Sequence, residues 1–345
     1  MDIVYDADLS GRNSFGMKVK AACLVEYDDV AELESISRDS SLPRPFLHMG
    51  GGSNLLFTKD FSGTVLHSRI RFVEEVPHQD AICLRVGAGV VWDDFCALCA
   101  AGGLWGPENL SSIPGECGAA AVQNIGAYGR EVSELVLNVE CYDLQEHTMR
   151  TFSRDECRYA YRDSYFKNEG KGRYVVTAVN FMLSREASPC LEYGNLSARL
   201  AGEYPEASGE QGLAFTPEMI RRTIIGVRDE KLPSPSRVGS AGSYFRNPAV
   251  GADFFRELQE KCGAPVPHFE NPDGSIKVPA AWLIDSCGWK GRREGGAGVW
   301  EKQPLVLVNA DGNATPGEIC RLEEKIRASV LERFGICLER EVEHV

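Results

Sequence analysis

The stretch IPGECGAAAVQNIGAYG, residues 113–129, carries a single charged side chain, Glu116. It is not a solvated linker, because Ile113, Val122, Ile125 and Tyr128 are interleaved through it. Nor is it one continuous helix, because Pro114, Gly115, Gly118, Gly126 and Gly129 punctuate it. Small residues at this density mean that something large lies against the backbone. Without a Cβ, main-chain N–H groups can approach a ligand closely. A second run of this kind, Gly50-Gly51-Gly52-Ser53-Asn54, precedes it. The two runs suggest two walls around one diphosphate-bearing cofactor; two tight turns and a closely packed helix are the alternative.

Working outward, 345 residues favour two or three domains, and 43% hydrophobic with 25% charged residues is an ordinary globular composition. The net charge of −13 argues against a nucleic-acid or anionic-membrane partner, although a local Arg/Lys cluster can still hold an anionic small ligand. The twelve cysteines are irregularly spaced, and Cys96-Ala-Leu-Cys99 has no second pair to complete a zinc site. It lies in a segment that reads as a buried helix, so packing explains it, and no metal is expected. The acidic N-terminus lacks an apolar signal core, and no apolar run approaches the ~20 residues of a membrane span. These features are those of a cytoplasmic protein with reduced thiols.

Residues 1–20 read as a polar, turn-rich entry. Strands are expected at 21–25, 46–49, 63–67, 81–86, 135–143, 148–152, 174–183, 305–309 and, at the end, 336–342. Helices are expected at 28–37, 92–102, 216–229, 253–262, 280–286 and 315–334. Thr315-Pro316-Gly317-Glu318 is a cap for the last helix and Gly335 its stop. Residues 187–210 carry mixed signals and read as an excursion, and 232–248 as loop and turn chemistry. The pattern is α+β.

Three stretches hold unusual polar residues. In Tyr161-Arg162-Asp163-Ser164-Tyr165-Phe166-Lys167, an Arg between aromatics suits a bidentate grip on a carboxylate, with a surface salt bridge to Asp163 as the alternative. In Gly239-Ser240-Ala241-Gly242-Ser243-Tyr244-Phe245-Arg246-Asn247-Pro248, the Ser243 hydroxyl has no GxSxG context and no nearby His. It is better suited to donate a proton than to attack, or else it simply occupies a tight turn. On the terminal segment Glu339 and Glu341 share one face of an expected strand, so alternation cannot choose between them.

Together these stretches resemble the flavoenzyme family of UDP-N-acetylenolpyruvoylglucosamine reductases (UDP-N-acetylmuramate dehydrogenases), in its longer, type I form. The matching segments are GGGSNLLF at 50–57, IPG at 113–115, QNIGAYG at 123–129, YRDSYFK at 161–167, GSAGSYFRNP at 239–248, AAWLID at 280–285 and EV at 341–342. They occur in order and span nearly the whole chain. The resemblance implies an α+β architecture of three parts: two FAD-binding subdomains of the vanillyl-alcohol-oxidase type (1–67 and 68–213) and a C-terminal α+β substrate-binding domain (214–345), whose last strand returns to the active site. It implies Ser243 as general acid, Arg162 as the stabiliser of developing enolate charge and Glu341 as their acidic partner. The implied cofactor contacts are Gly50, Gly51, Gly52, Ser53, Asn54, Leu56, Ile113, Pro114, Gly115, Gly118, Ala119, Asn124, Ile125, Gly126 and Tyr128. The implied substrate contacts are Tyr193, Lys231, Asn247 and Gln303. Glu116-Cys117 departs from the small residues more usual there.

The activity implied is reduction of the enolpyruvyl group of UDP-N-acetylglucosamine enolpyruvate to UDP-N-acetylmuramate, with FAD as cofactor and NADPH as reductant, by a cytoplasmic monomer of peptidoglycan synthesis. Cell-wall biogenesis, cell shape and cell division would depend on it. Two rivals stand beside this reading: an FAD-dependent oxidase of the same fold, and a non-catalytic nucleotide-sugar binding protein.

Overall fold

The structure is a computed structural model and describes residues 1–78, 81–208 and 215–345. The expected boundary at residues 213/214 lies outside the described residues. The chain divides into two units: Met1–Ala7, Ala21–Gly51 and Ser62–Arg228 form the first; Asp8–Lys20, Gly52–Phe61 and Asp229–Val345 form the second.

The β-branched run Tyr174–Leu183 is the centre of the first unit. Nine of its ten residues are buried, so it is covered on both faces and shows no polar alternation. It sits in a five-stranded sheet in the order Thr148–Ser153, Val136–Asp143, Tyr174–Leu183, Ile82–Gly87, Val73–Val76. Neighbours are antiparallel throughout. Helix Trp92–Ala101 lays Trp92 and Phe95 on Phe181, with ring centroids 5.8 and 5.0 Å apart. Cys96 and Cys99 are buried in this same core. A four-stranded sheet in the order Asp2–Asp8, Lys20–Tyr27, Phe61–Ser68, Phe46–His48 carries helix Val30–Arg38, which Asp29 caps through the Glu32 N–H.

In the second unit Gly239–Ser243 pairs with Val306–Asn309, followed in the sheet by Ala297–Val299 and Arg293–Glu294. Helix Pro316–Phe334 packs there; its capping box is formed by Thr315 and Glu318, and Gly335 is its left-handed stop.

Four local expectations are corrected. The entry segment contains a strand, Asp2–Asp8, whose one buried residue gives no hydrophobic alternation to read. The excursion contains a helix, Leu196–Glu203, anchored by buried Leu196 and Leu200. The segment read as loop contains the strand Gly239–Ser243, which pairs despite its small residues. The terminal strand is not 336–342 but Glu343–His344, paired in parallel with Leu55–Leu56. The alternation of Ile336 and Leu338 comes from side-chain burial, not from a ladder. Among the described residues no helix is long and apolar enough to cross a membrane.

Candidate functional site

Helix Cys117–Gln123 occupies the middle of the glycine- and alanine-rich stretch. Its entry is fixed by the segment beside it: the Cys117 and Gly118 N–H groups donate to the Val90 and Ala88 carbonyls at 2.9 and 3.0 Å. A Cβ on Gly118 would lie 2.8 Å from that of Ala88, so close packing accounts for this glycine. Within the first unit, Gly50 and Gly51 lie beside the second run. A Cβ built on Gly51 would find only the Gly115 Cα, at 3.8 Å; one on Gly50 would lie 3.4 Å from the Ala119 Cβ and 3.0 Å from Glu116 Oε2. Among the described residues the Gly50 and Gly51 N–H groups have no hydrogen-bond partner.

The expected cofactor contacts divide by burial. Gly52, Leu56, Gly118 and Asn124 are covered by protein, whereas Gly50, Gly51, Ser53, Asn54, Ile113, Pro114, Gly115, Ala119, Ile125, Gly126 and Tyr128 keep some exposure. Asn124 is fully buried, and its Nδ2 donates to the Ala160 carbonyl (2.8 Å) and Glu131 Oε2 (2.7 Å). It therefore ties a tight hairpin to the glycine wall. Ala160 and Asp163 close that hairpin by exchanging backbone bonds of 3.1 and 2.9 Å, with Tyr161 and Arg162 at its tip. Arg162 has a left-handed backbone, φ +56°, which costs about 1–2 kcal/mol in a side-chain-bearing residue. Its guanidinium donates to the Gly126 carbonyl, and a Cβ on Gly126 would lie 2.5 Å from Arg162 Nη1. Asp163 instead accepts from the Ser164 N–H and Asn168 Nδ2 at 3.0 Å each. Tyr193, half exposed, meets Tyr128 edge-on at 6.0 Å.

Glu116 has a clear employment. His67 lies between two carboxylates, Nε2 at 2.8 Å from Glu116 Oε1 and Nδ1 at 2.9 Å from Glu26 Oε1. The Glu116 hydrogen bond, against the opposing effect of burial, raises the His67 pKa above its ordinary value. Neighbouring His48, bonded to the Tyr27 hydroxyl at 2.8 Å, is pushed down to about 4 by burial and then by the His67 charge. No local pattern signals this cluster, because its members come from separated segments. His67→Gln is expected to cost about 2 kcal/mol near pH 6, since a charged hydrogen-bonded partner is lost. A histidine raised in the folded state stabilises fully below its unfolded pKa, ~6.5, and the benefit is lost as pH rises through the folded value. Urea unfolding across pH 6–9 should therefore show the gap between wild type and His67→Gln narrowing with pH; a gap that widens contradicts the assignment.

In the second unit, Ser243 ends the strand Gly239–Ser243 opposite Val306, after an irregularity in register at which Gly242 adopts φ +70°. Tyr244 and Phe245, which follow the strand, are buried, and Ser243 only partly. The Tyr244 carbonyl accepts the Glu341 N–H at 2.8 Å, and the Arg246 N–H donates to the Glu339 carbonyl at 2.9 Å. Glu339 is exposed and Glu341 partly buried, which separates two residues that sequence alternation leaves equal. Asn54 holds the same tail: its Nδ2 donates to the Glu341 carbonyl (3.2 Å) and its carbonyl accepts the Glu343 N–H (3.0 Å). Asn247 Oδ1 caps helix Ala280–Ser286 through the Ala280 N–H at 2.9 Å. The Lys231 carbonyl accepts Trp300 Nε1 at 3.0 Å, and Gln303 Oε1 the Leu305 N–H at 3.3 Å. Glu323 and His344 lie outside every motif, and Tyr244 lies inside one without a role given to it, although Glu323 leaves a signal: a charge on the apolar face formed by Ile319, Leu322, Ile326 and Val330.

Comparison with known proteins defines the class first. Residues 21–152 match the family model described as FAD binding domain. The fold is that of the vanillyl-alcohol-oxidase-type flavoproteins with an added C-terminal α+β domain. Accordingly, 6-hydroxy-D-nicotine oxidase from Arthrobacter nicotinovorans superposes with TM-score 0.52 at 13% identity, over 97% of this chain and 86% of that one. Residues 234–345 match UDP-N-acetylenolpyruvoylglucosamine reductase, C-terminal domain. Proteins named UDP-N-acetylenolpyruvoylglucosamine reductase from Bacteroides fragilis (strain YCH46) and Porphyromonas gingivalis (strain ATCC 33277) are 46% and 42% identical, over 98% of both chains and 100% of both chains respectively. The crystal structure of the Thermus caldophilus protein of that name aligns with TM-score 0.65 and 21% identity, covering 99% of this chain and 98% of that one. The chain belongs to the UDP-N-acetylenolpyruvoylglucosamine reductase family.

Proposed function

We propose that this chain is an FAD-dependent reductase that converts UDP-N-acetylglucosamine enolpyruvate to UDP-N-acetylmuramate in peptidoglycan precursor synthesis, with NADPH as reductant. The observation that carries this reading is the 46% identity over 98% of both chains to a protein of that name. The residues present fit a flavin nucleotide. Gly51 faces the bare backbone of Gly115, Gly50 lies beside Ala119 and Glu116, and the N–H groups of both have no hydrogen-bond partner among the described residues, which suits diphosphate oxygens. Bound flavin supplies hydride chemistry between NADPH and the vinyl group.

The remaining work falls to side chains. Arg162, fixed at a hairpin tip, grips the substrate carboxylate and stabilises the negative charge that spreads into it as hydride reaches the terminal carbon. Ser243 gives its hydroxyl proton to the adjacent carbon, completing the saturated lactyl ether. Glu341, held by the Tyr244 carbonyl, orients this delivery. Tyr193, Lys231, Asn247 and Gln303 bind the nucleotide sugar. Domain limits of 1–67, 68–213 and 214–345, a monomeric state and a cytoplasmic location complete the proposal.

The test uses the purified chain. It should be yellow, lose its colour on addition of NADPH, and regain it on anaerobic addition of the enolpyruvyl sugar nucleotide. Protein that takes up no FAD favours the binding-protein rival; colour that survives a denaturing gel favours an oxidase with covalent flavin.

A further inference from the structure

Glu323 is a carboxylate on the buried face of helix Pro316–Phe334, only 3% exposed. A buried carboxylate is tolerated where partners satisfy it, and what satisfies this one is informative. Tyr244 Oη donates to Glu323 Oε2 at 3.1 Å. Arg340 Nε and Arg327 Nη1 lie 3.5 and 3.6 Å from Oε1, and His344 Nε2 3.4 Å from Oε2.

The donors and acceptors form a chain with one direction. Arg340 Nη1, which can only donate, bonds to His344 Nδ1. His344 therefore carries its proton on Nε2, which donates to the Tyr244 hydroxyl at 2.7 Å. That hydroxyl, its acceptor position taken, donates to Glu323. Burial and the Arg340 charge lower the His344 pKa to about 4, which keeps the ring neutral as this chain requires.

The chain joins the two segments that matter for proton delivery. Arg340 and His344 flank Glu341 on the tail, and Tyr244 follows Ser243 directly. The Tyr244 carbonyl already accepts the Glu341 N–H. We propose that Glu323 is a positioning residue for the reaction: by fixing the Tyr244 hydroxyl, and through it His344 and Arg340, it sets the register between the strand end that presents Ser243 and the tail that presents Glu341. The role rests on the function proposed above.

The experiment uses full-length, FAD-loaded protein in rapid mixing, following loss of flavin colour with NADPH and its return with the enolpyruvyl substrate. Tyr244→Phe keeps the ring and deletes the link; Glu323→Ala removes the anchor; Glu323→Gln keeps an acceptor. Tyr244→Phe and Glu323→Ala should slow the return of colour about 10- to 100-fold, as expected when reacting groups shift by about an ångström. Reduction by NADPH and substrate KM should stay within about threefold of wild type, and Glu323→Gln should regain most of the lost rate. If both half-reactions fall together with the melting temperature in Tyr244→Phe, or if the return of colour is unchanged in it, the positioning role is overturned. A wild-type protein whose colour never returns overturns the functional reading instead, and this proposal with it.

Discussion

Ser243→Ala is expected to leave reduction of the bound flavin by NADPH within about twofold of wild type and to slow reduction of the enolpyruvyl substrate by about 10²- to 10⁴-fold, the usual worth of a positioned proton donor. The substitution removes one oxygen from a partly buried side chain at a strand end. The backbone there is held by other means: Gly242 absorbs the irregularity in register, the Tyr244 N–H donates to the Leu305 carbonyl at 2.8 Å, and the Tyr244 ring is fully buried. The fold should therefore survive, and the loss should fall on kcat of the second half-reaction with little change in substrate KM, the signature of an interaction made in the transition state. An equal loss in both half-reactions would contradict proton donation and point to a cofactor-binding role for Ser243.

Local chemistry explains which parts of the fold are legible in the sequence. Helix Pro316–Phe334 announces itself through Thr315, Glu318 and Gly335, because capping is settled within a few residues. Tyr174–Leu183 is legible because an unbroken β-branched run is buried on both faces. Asp2–Asp8 is not: it is an edge strand whose exposed Ile3, Val4 and Tyr5 obey no inside–outside rule. The tail 336–342 misleads for a related reason. Ile336 and Leu338 alternate inward outside any strand; 336–342 makes a single antiparallel bridge, Arg340 with Phe245, and the named strand is Glu343–His344.

For the candidate site, the motif glycines and the Arg162 hairpin are local features and legible. Their supports are not. Asn124 holds the hairpin, Asn54 holds the tail, and Glu26 with Glu116 holds His67, each across a separation that no local pattern encodes. The exception is Glu323, since a lone carboxylate on an otherwise apolar helical face requires a polar partner wherever that face is covered.

Gly51→Val should abolish tight flavin binding, lowering FAD affinity by at least about 100-fold, equivalent to about 2.7 kcal/mol. The choice of position matters. Gly52 has φ +62° and lies against the Arg12 carbonyl, so a side chain there would disturb the backbone whatever the ligand. Gly51 does not have a left-handed backbone, is exposed, and would place a Cβ no closer than 3.8 Å to any atom of the fold outside its chain neighbours, the nearest being the Gly115 Cα. A Cβ at 51 therefore meets no clash in the folded chain, and valine at this exposed position should leave the melting temperature unchanged or slightly raised, because it restricts the unfolded state. What it fills is the bare-backbone face on which a diphosphate would sit. Loss of colour with an unchanged melting curve separates a cofactor wall from a merely tight turn, and titration with FAD measures the loss directly. Gly51→Ala, with one methyl, should lose about tenfold. A Gly51→Val protein that purifies as yellow as wild type and binds FAD as tightly would show that Gly51 serves packing alone, and its bare backbone beside Gly115 would then have no ligand to explain it.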